Sequence, residues 1–259
     1  MNNYEKNKKI LKDNFSYDEN MEHDACGVGV VATTDGKKSR KIVEHGINAL
    51  KAIWHRGAVD ADGKSGDGAG IQIEIAPEFF KDKIASTGHK LDEKKRICVG
   101  MVFLPRTEYG EQEKCREIIE SVLLEQNYSI YGWRQVPINS NVLGKTAEQS
   151  RPEIAQVMFK KNTDISTNDL ERDLFETRKK IEKLARANQL KNFYICSFSS
   201  RSIVYKGMFL AEMLAEFYLD LNDDKLTSRF AVFHQRYSTN TFPSWDLAQP
   251  FRTLSHNGE

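Results

Sequence analysis

Two apolar segments, FYICSFS (193–199) and SIVYKG (202–207), stand two residues apart. Both are rich in β-branched and aromatic side chains, which suit a pleated, half-buried surface. Two residues are too few for the crossover that joins parallel neighbours, which takes about a dozen. The spacing therefore predicts an antiparallel hairpin turning around Ser199–Arg201. Further strands are expected at about 26–33, at IQIEI (71–75, alternating with period two), at ICVGMVFLP (97–105, ended by proline and central), around 130–136 and 154–160, and at FAVFHQR (230–236). Several are apolar on both faces, so a layer must cover each side. Helical spacing places Val43, Ile47, Leu50 and Trp54 on one inward face. It does the same for Cys115, Ile118, Val122 and Leu123, and for Leu170, Leu174, Ile181 and Leu184. A short helix is expected near 208–219. Hairpin, alternating strands and long helices together predict an α+β fold with largely antiparallel sheets and no internal repeat.

The chain of 259 residues is long enough to bury a sizeable core, and its formal net charge of +1 gives no bulk field for nucleic acid or anionic membrane. No apolar run has the length of a membrane span. Residues 1–25 carry four lysines, six acidic residues and no apolar core, so they are neither a secretory signal nor a transit peptide. They read as a flexible leader. Cys26, Cys98, Cys115 and Cys196 form no CxxC pair, and the six histidines show no ligand spacing, which argues against a disulfide framework or metal site. A reduced, cytoplasmic protein is expected. The last residues, LSHNGE, contain no closing element and read as a cut through a longer domain.

Four short stretches carry candidate chemistry. In HDACGVGVV (23–31), Cys26 stands at the mouth of a strand behind the leader. A lone cysteine is ordinarily a small buried hydrophobe, the reading given to the other three. If the Ala25–Cys26 bond were cleaved, the thiol would gain a free α-amine with a pKa of about 7.7–8.0 as its own base. In HQRYSTNTFPSW (234–245), Arg236 leaves a strand end, where a guanidinium can hold a carboxylate in bidentate fashion or pair with a nearby loop acid. Asn257-Gly258 reads as a turn, or as two donors of an oxyanion hole. The stretch HRGAVDADGKSGDGAG (55–70) leads into a strand, lacks a GK[ST] ending and carries three carboxylates from Asp60 to Asp67, so it is no phosphate loop. A flexible loop near the site, hinged at Arg56, fits better.

In this order, DACGVG, HRGAVDADGKSGDGAGI, FHQRYSTNTFPSWDLAQPFR and SHNGE resemble the N-terminal amidotransferase region of glutamate synthase large subunits, within the class II glutamine amidotransferases. The resemblance runs from about residue 22 to the end and is looser over 106–228. It implies the N-terminal-nucleophile hydrolase fold, a four-layer αββα sandwich, here incomplete at its C-terminus. It implies a propeptide over 1–25 and an amidotransferase domain over 26–259. Cys26 would attack the side-chain amide of L-glutamine, Asn257 and Gly258 would stabilise the oxyanion, Arg236 would bind the α-carboxylate, and Arg56 would lie close by. Ammonia would pass to a downstream synthase domain of the same chain and meet 2-oxoglutarate there. That domain would carry FMN and an iron–sulfur cluster, with a small reductase subunit as a further partner. No cofactor or metal is expected within these residues. The alternatives are another N-terminal-cysteine amidotransferase or amide hydrolase, and an inactive fragment.

Overall fold

The computed structural model describes residues 3–14, 27–238 and 241–252. Its helices and strands run in the order α1 (Asn3–Asp13), β1 (Val28–Ala32), α2 (Arg40–Ala52), β2 (Ser65–Glu74), α3 (Pro77–Ala85), β3 (Cys98–Leu104), α4 (Tyr109–Glu125), β4 (Tyr128–Gln135), α5 (Lys145–Gln149), β5 (Glu153–Lys161), α6 (Thr167–Ala187), β6 (Tyr194–Ser199), β7 (Ser202–Phe209), α7 (Leu214–Phe217) and β8 (Phe230–Gln235). Two four-stranded sheets result, one ordered β1-β8-β2-β7 and the other β4-β5-β3-β6. Every neighbouring pair in both is antiparallel.

The segments at 193–207 do not form the expected hairpin. β6 pairs with β3 in the second sheet and β7 pairs with β2 in the first, so the turn between them is a corner from one sheet to the other. Serine side chains take over the hydrogen bonds that a hairpin ladder would supply. Ser197 Oγ accepts from Val204 N at 3.1 Å, and Ser199 Oγ accepts from Arg201 N at 2.9 Å. Glu171 of α6 ties down the outside of the corner, accepting from Ser199 Oγ, Ser200 N and Ser200 Oγ at 2.6–2.8 Å.

Helices close the sandwich on both sides. α2 starts at an N-cap, Ser39, whose hydroxyl accepts from Lys41 N, and it buries Ile42, Val43, Ile47 and Leu50 against the first sheet. Gly46 lets it come close, because a Cβ there would lie 2.5 Å from the Ala231 Cβ of β8. α4 and α6 cover the second sheet, where Cys98, Val102 and Leu104 of β3 pack with Ile119, Leu170, Leu174 and Ile181. Val99, Met101 and Phe103, at the alternate positions of β3, join the other apolar cluster with Ile71 and Ile73 of the first sheet. These are the four layers of an α+β sandwich, and both faces of β3 are buried, as a doubly apolar strand requires.

Several local expectations need correction. Trp54 is 57% exposed, because α2 ends at Ala52 and Trp54 starts a separate 3₁₀ turn, Trp54–Arg56. Leu184 sits at the rim of the buried face of α6 and is part exposed. The short helix near 208–219 begins late: β7 runs on to Phe209, and only Leu214–Phe217 is α-helical. β2 begins at Ser65, inside the stretch expected to be loop. α3 was not anticipated, although Pro77 at its first turn and buried Phe79, Phe80 and Ile84 account for it. Within the leader, Asn3–Asp13 form α1, with Ile10 and Leu11 about half exposed.

Candidate active site

The start of β1 and the end of β8 meet. Gln235 N donates to the carbonyl of Gly27, the residue after Cys26, at 2.6 Å. One residue on, Arg236 N donates to Gly68 O of β2 at 2.8 Å. The Arg236 side chain is 5% exposed, and its Nη2 donates to Thr241 Oγ1 at 2.6 Å. Ser238 N donates to Asp67 Oδ2 at 2.5 Å, so a carboxylate from β2 holds the chain as it leaves β8. A guanidinium is the side chain whose planar fork can hold a carboxylate in bidentate fashion.

β2 is shaped for these contacts. Its pairing with β7 shifts register between Ser65 and Ala69, and Gly68 sits at φ +131°, a conformation that side chains with a Cβ rarely adopt. A Cβ on Gly68 would lie 2.7 Å from Ala248 Cβ, and one on Gly70 would lie 2.5 Å from Gln249 O. Gly68 and Gly70 thus let Ala248 and Gln249 lie directly on β2, while Gly66 sits against Phe209 and Leu210. Trp245 anchors the 245–250 segment by donating to Ala147 O at 3.1 Å and packing edge-on against Phe103 and Phe209.

Arg56 ends the 3₁₀ turn and is half-buried. Gly57 beside it has no room for a side chain, because a Cβ there would be 2.2 Å from Gln235 Nε2. The His-Arg-Gly turn therefore closes directly on the residue preceding Arg236. The loop beyond it, expected to be flexible, is fastened by its own carboxylates. Asp62 accepts from Ser65 Oγ and Ser65 N at 2.6 and 2.7 Å and from Thr146 N at 3.1 Å. The Ser65 hydroxyl, foremost among these donors, holds the Asp62 carboxyl far below the usual carboxylate range.

Of the residues singled out by sequence, Arg236 and Arg56 are therefore brought to one end of the sandwich, with Gly27 beside them. Cys26, Asn257 and Gly258 lie outside the described residues. The other three cysteines are buried and unbridged. Burial raises the thiol of Cys115 to about 11 and that of Cys196 to about 12, and it drives Cys98 higher still, so none is a nucleophile. Among the described residues no group of three or more His, Cys, Asp or Glu is placed to hold a metal.

Sequence reasoning missed Gln235, Asp67 and Gly68. Gln235 is fully buried; its Oε1 accepts from Ala211 N at 2.8 Å and its Nε2 donates to Gly68 O at 3.3 Å, so one amide ties three segments beneath Arg236. The available signal was the glycine at every second position over 66–70, a strand period hidden by its loop-like composition.

Comparison with known proteins shows the family of the chain. A family described as class-II glutamine amidotransferases matches residues 26–259. The NADPH glutamate synthase large chain of Azospirillum brasilense is 56% identical over 244 residues, covering 94% of this chain and 16% of that protein. The ferredoxin-dependent glutamate synthase of Pyropia yezoensis is 46% identical over 241 residues, and the chloroplastic enzyme of Spinacia oleracea 41% over 239, each covering 92% of this chain and 15% of the relative. The chain thus spans about one sixth of the length of these relatives. With nearly its whole length matched, the chain belongs to the class II glutamine amidotransferases.

Proposed function

We propose that this chain is the glutaminase part of a glutamate synthase. Cys26, exposed as the first residue by removal of 1–25, attacks the side-chain carbonyl of L-glutamine. Its own α-amine takes the thiol proton. Asn257 and Gly258 donate to the oxyanion, and ammonia leaves with a proton as the thioester forms. Water then hydrolyses the thioester, releasing glutamate and restoring the thiol. Arg236 grips the substrate's α-carboxylate, with Arg56 at the edge of the same pocket. In the longer enzyme the ammonia meets 2-oxoglutarate at a synthase domain. That domain carries the flavin and iron–sulfur chemistry. The Azospirillum relative's name, a large chain, is in keeping with a small reductase partner.

The observation that carries this reading is the 2.6 Å bond between Gln235 N and Gly27 O, which joins the residue before Arg236 to the residue after Cys26. The family match, which begins at Cys26, supports it. The test is Cys26→Ser in the full-length synthase. Glutamine-dependent glutamate formation should fall at least about 10³-fold while ammonia-dependent formation is kept, as expected when only the nucleophile is removed. Equal loss of both, or active enzyme whose intact mass still includes Met1, would contradict the assignment.

A further inference from the structure

We propose that Lys206 is a positioning residue for the glutamine site, fixing the 245–251 segment and, through Ala248 and Gly68, the place of Arg236. This rests on the functional reading above. Lys206 lies on β7 and is fully buried. Its Nζ donates to Asp246 O and Ala248 O, both at 2.7 Å, and to Tyr194 Oη at 3.4 Å. The rings of Tyr194 and Phe251 lie 4.5 and 4.9 Å from the same nitrogen. Among the described residues no carboxylate oxygen comes within ion-pair distance of it.

A buried cation without a carboxylate is a costly choice, since an apolar side chain of similar volume fills such a site as well or better. Burial foremost, with the charges of Arg252 and Arg236 adding, brings its pKa down to about 8, while Cys196 and Asp246 pull the other way. What the ammonium supplies is three directed donors. Two of them fix alternate carbonyls of a segment that belongs to neither sheet.

The route to Arg236 is short. Ala248, whose carbonyl Lys206 holds, presses its Cβ onto Gly68, where an added Cβ would stand only 2.7 Å away. Gly68 O in turn accepts from Arg236 N at 2.8 Å. A shift of the segment therefore displaces the backbone that carries the carboxylate-binding guanidinium. A displaced guanidinium loses carboxylate binding made equally in the ground and transition states, which raises KM and leaves kcat nearly unchanged.

The experiment compares Lys206→Met, Ala248→Gly and Cys26→Ser in the full-length synthase, assayed with glutamine and separately with ammonia. Lys206→Met should raise the KM for glutamine about tenfold, with kcat changed less than about threefold and ammonia-dependent activity kept. Ala248→Gly removes the contact with Gly68 without touching the buried charge, and should raise KM about threefold. It decides the matter if Lys206→Met does not fold. An unchanged KM in either folded variant overturns the proposal, including a fall in kcat alone, which is what mere loss of properly folded enzyme would produce. Cys26→Ser separates the two claims: if it keeps glutamine-dependent activity, the functional reading itself has failed.

Discussion

Arg134 and Lys206 are both cations drawn into the interior, and they are balanced in opposite ways. Arg134 of β4 forms a fork with Asp220, Nη1 to Oδ2 at 2.9 Å and Nη2 to Oδ1 at 2.8 Å, and it also donates to Gln156 Oε1 at 2.8 Å. Tyr205 Oη completes that network with a 3.3 Å bond to Asp220 Oδ2. Lys206, the next residue along β7, takes only backbone carbonyls and a phenol. Successive residues of a strand point to opposite faces, so one strand serves two networks. The Tyr205 side is charge-neutral and cross-links the two sheets. The Lys206 side keeps a net positive charge and holds down the segment next to Arg236. The difference teaches that burial of charge here has two purposes, stability on one face and placement of the site on the other.

The sharpest way to break this comparison is Asp220→Ala. It leaves the Arg134 guanidinium buried without its carboxylate, and stability should fall by about 3–5 kcal/mol, read as a shifted urea midpoint. Adding Arg134→Met to the same variant should recover much of that loss, because the uncompensated charge is then gone. A single-variant loss below about 1 kcal/mol would mean that the pair is no more structural than a surface ion pair.

Lys206 should behave in the opposite sense. Burial brings its folded pKa down to about 8 from the ordinary 10.5. Below pH 8 both folded and unfolded chains carry the proton, and burying the charge opposes folding in full. Between pH 8 and 10.5 the unfolded chain binds more protons than the folded one, so this residue's contribution makes stability rise with pH, by roughly 3 kcal/mol over the window. Lys206→Met should abolish that rise and leave stability near neutral pH unchanged or improved, even as glutamine binding suffers. Unfolding midpoints of the two proteins from pH 7 to 10.5 check this. A Met variant as unstable as Asp220→Ala would place Lys206 among the structural charges and erase the contrast.

Local periodicity made β3, β4, β5, β8 and the buried faces of α2, α4 and α6 legible, because each side-chain pattern reports its own burial. The choice of partner strand left no such trace. FYICSFS and SIVYKG have the same local signature whether they pair with each other or part to different sheets, and the serines that replace the ladder look like ordinary turn residues. The start of β2 was hidden because Gly68 and Gly70 answer to Ala248 and Gln249, about 180 residues away in the chain, and Gly66 to Phe209 and Leu210. Arg236 and Arg56 were legible as charged residues in the His-Gln-Arg and His-Arg-Gly stretches. Gln235 and Lys206 were not, since a polar residue inside an apolar strand reveals its role only through the segment that covers it.

The smallest effect is the most selective. Tyr194→Phe removes the hydroxyl 3.4 Å from Lys206 Nζ but keeps the ring 4.5 Å beneath it. At that length the hydrogen bond is at the weak end of the range, whereas the two 2.7 Å carbonyl contacts are short. The attraction between the ammonium and the ring face survives the change. The variant should therefore lose about 0.5 kcal/mol or less in thermal unfolding and keep its glutamine KM. That result would leave the carbonyls of Asp246 and Ala248 as the groups that Lys206 is there to hold. A rise in KM matching that of Lys206→Met would shift the anchor to the phenol, and β6, not the 245–251 segment, would then be the element through which the buried charge acts.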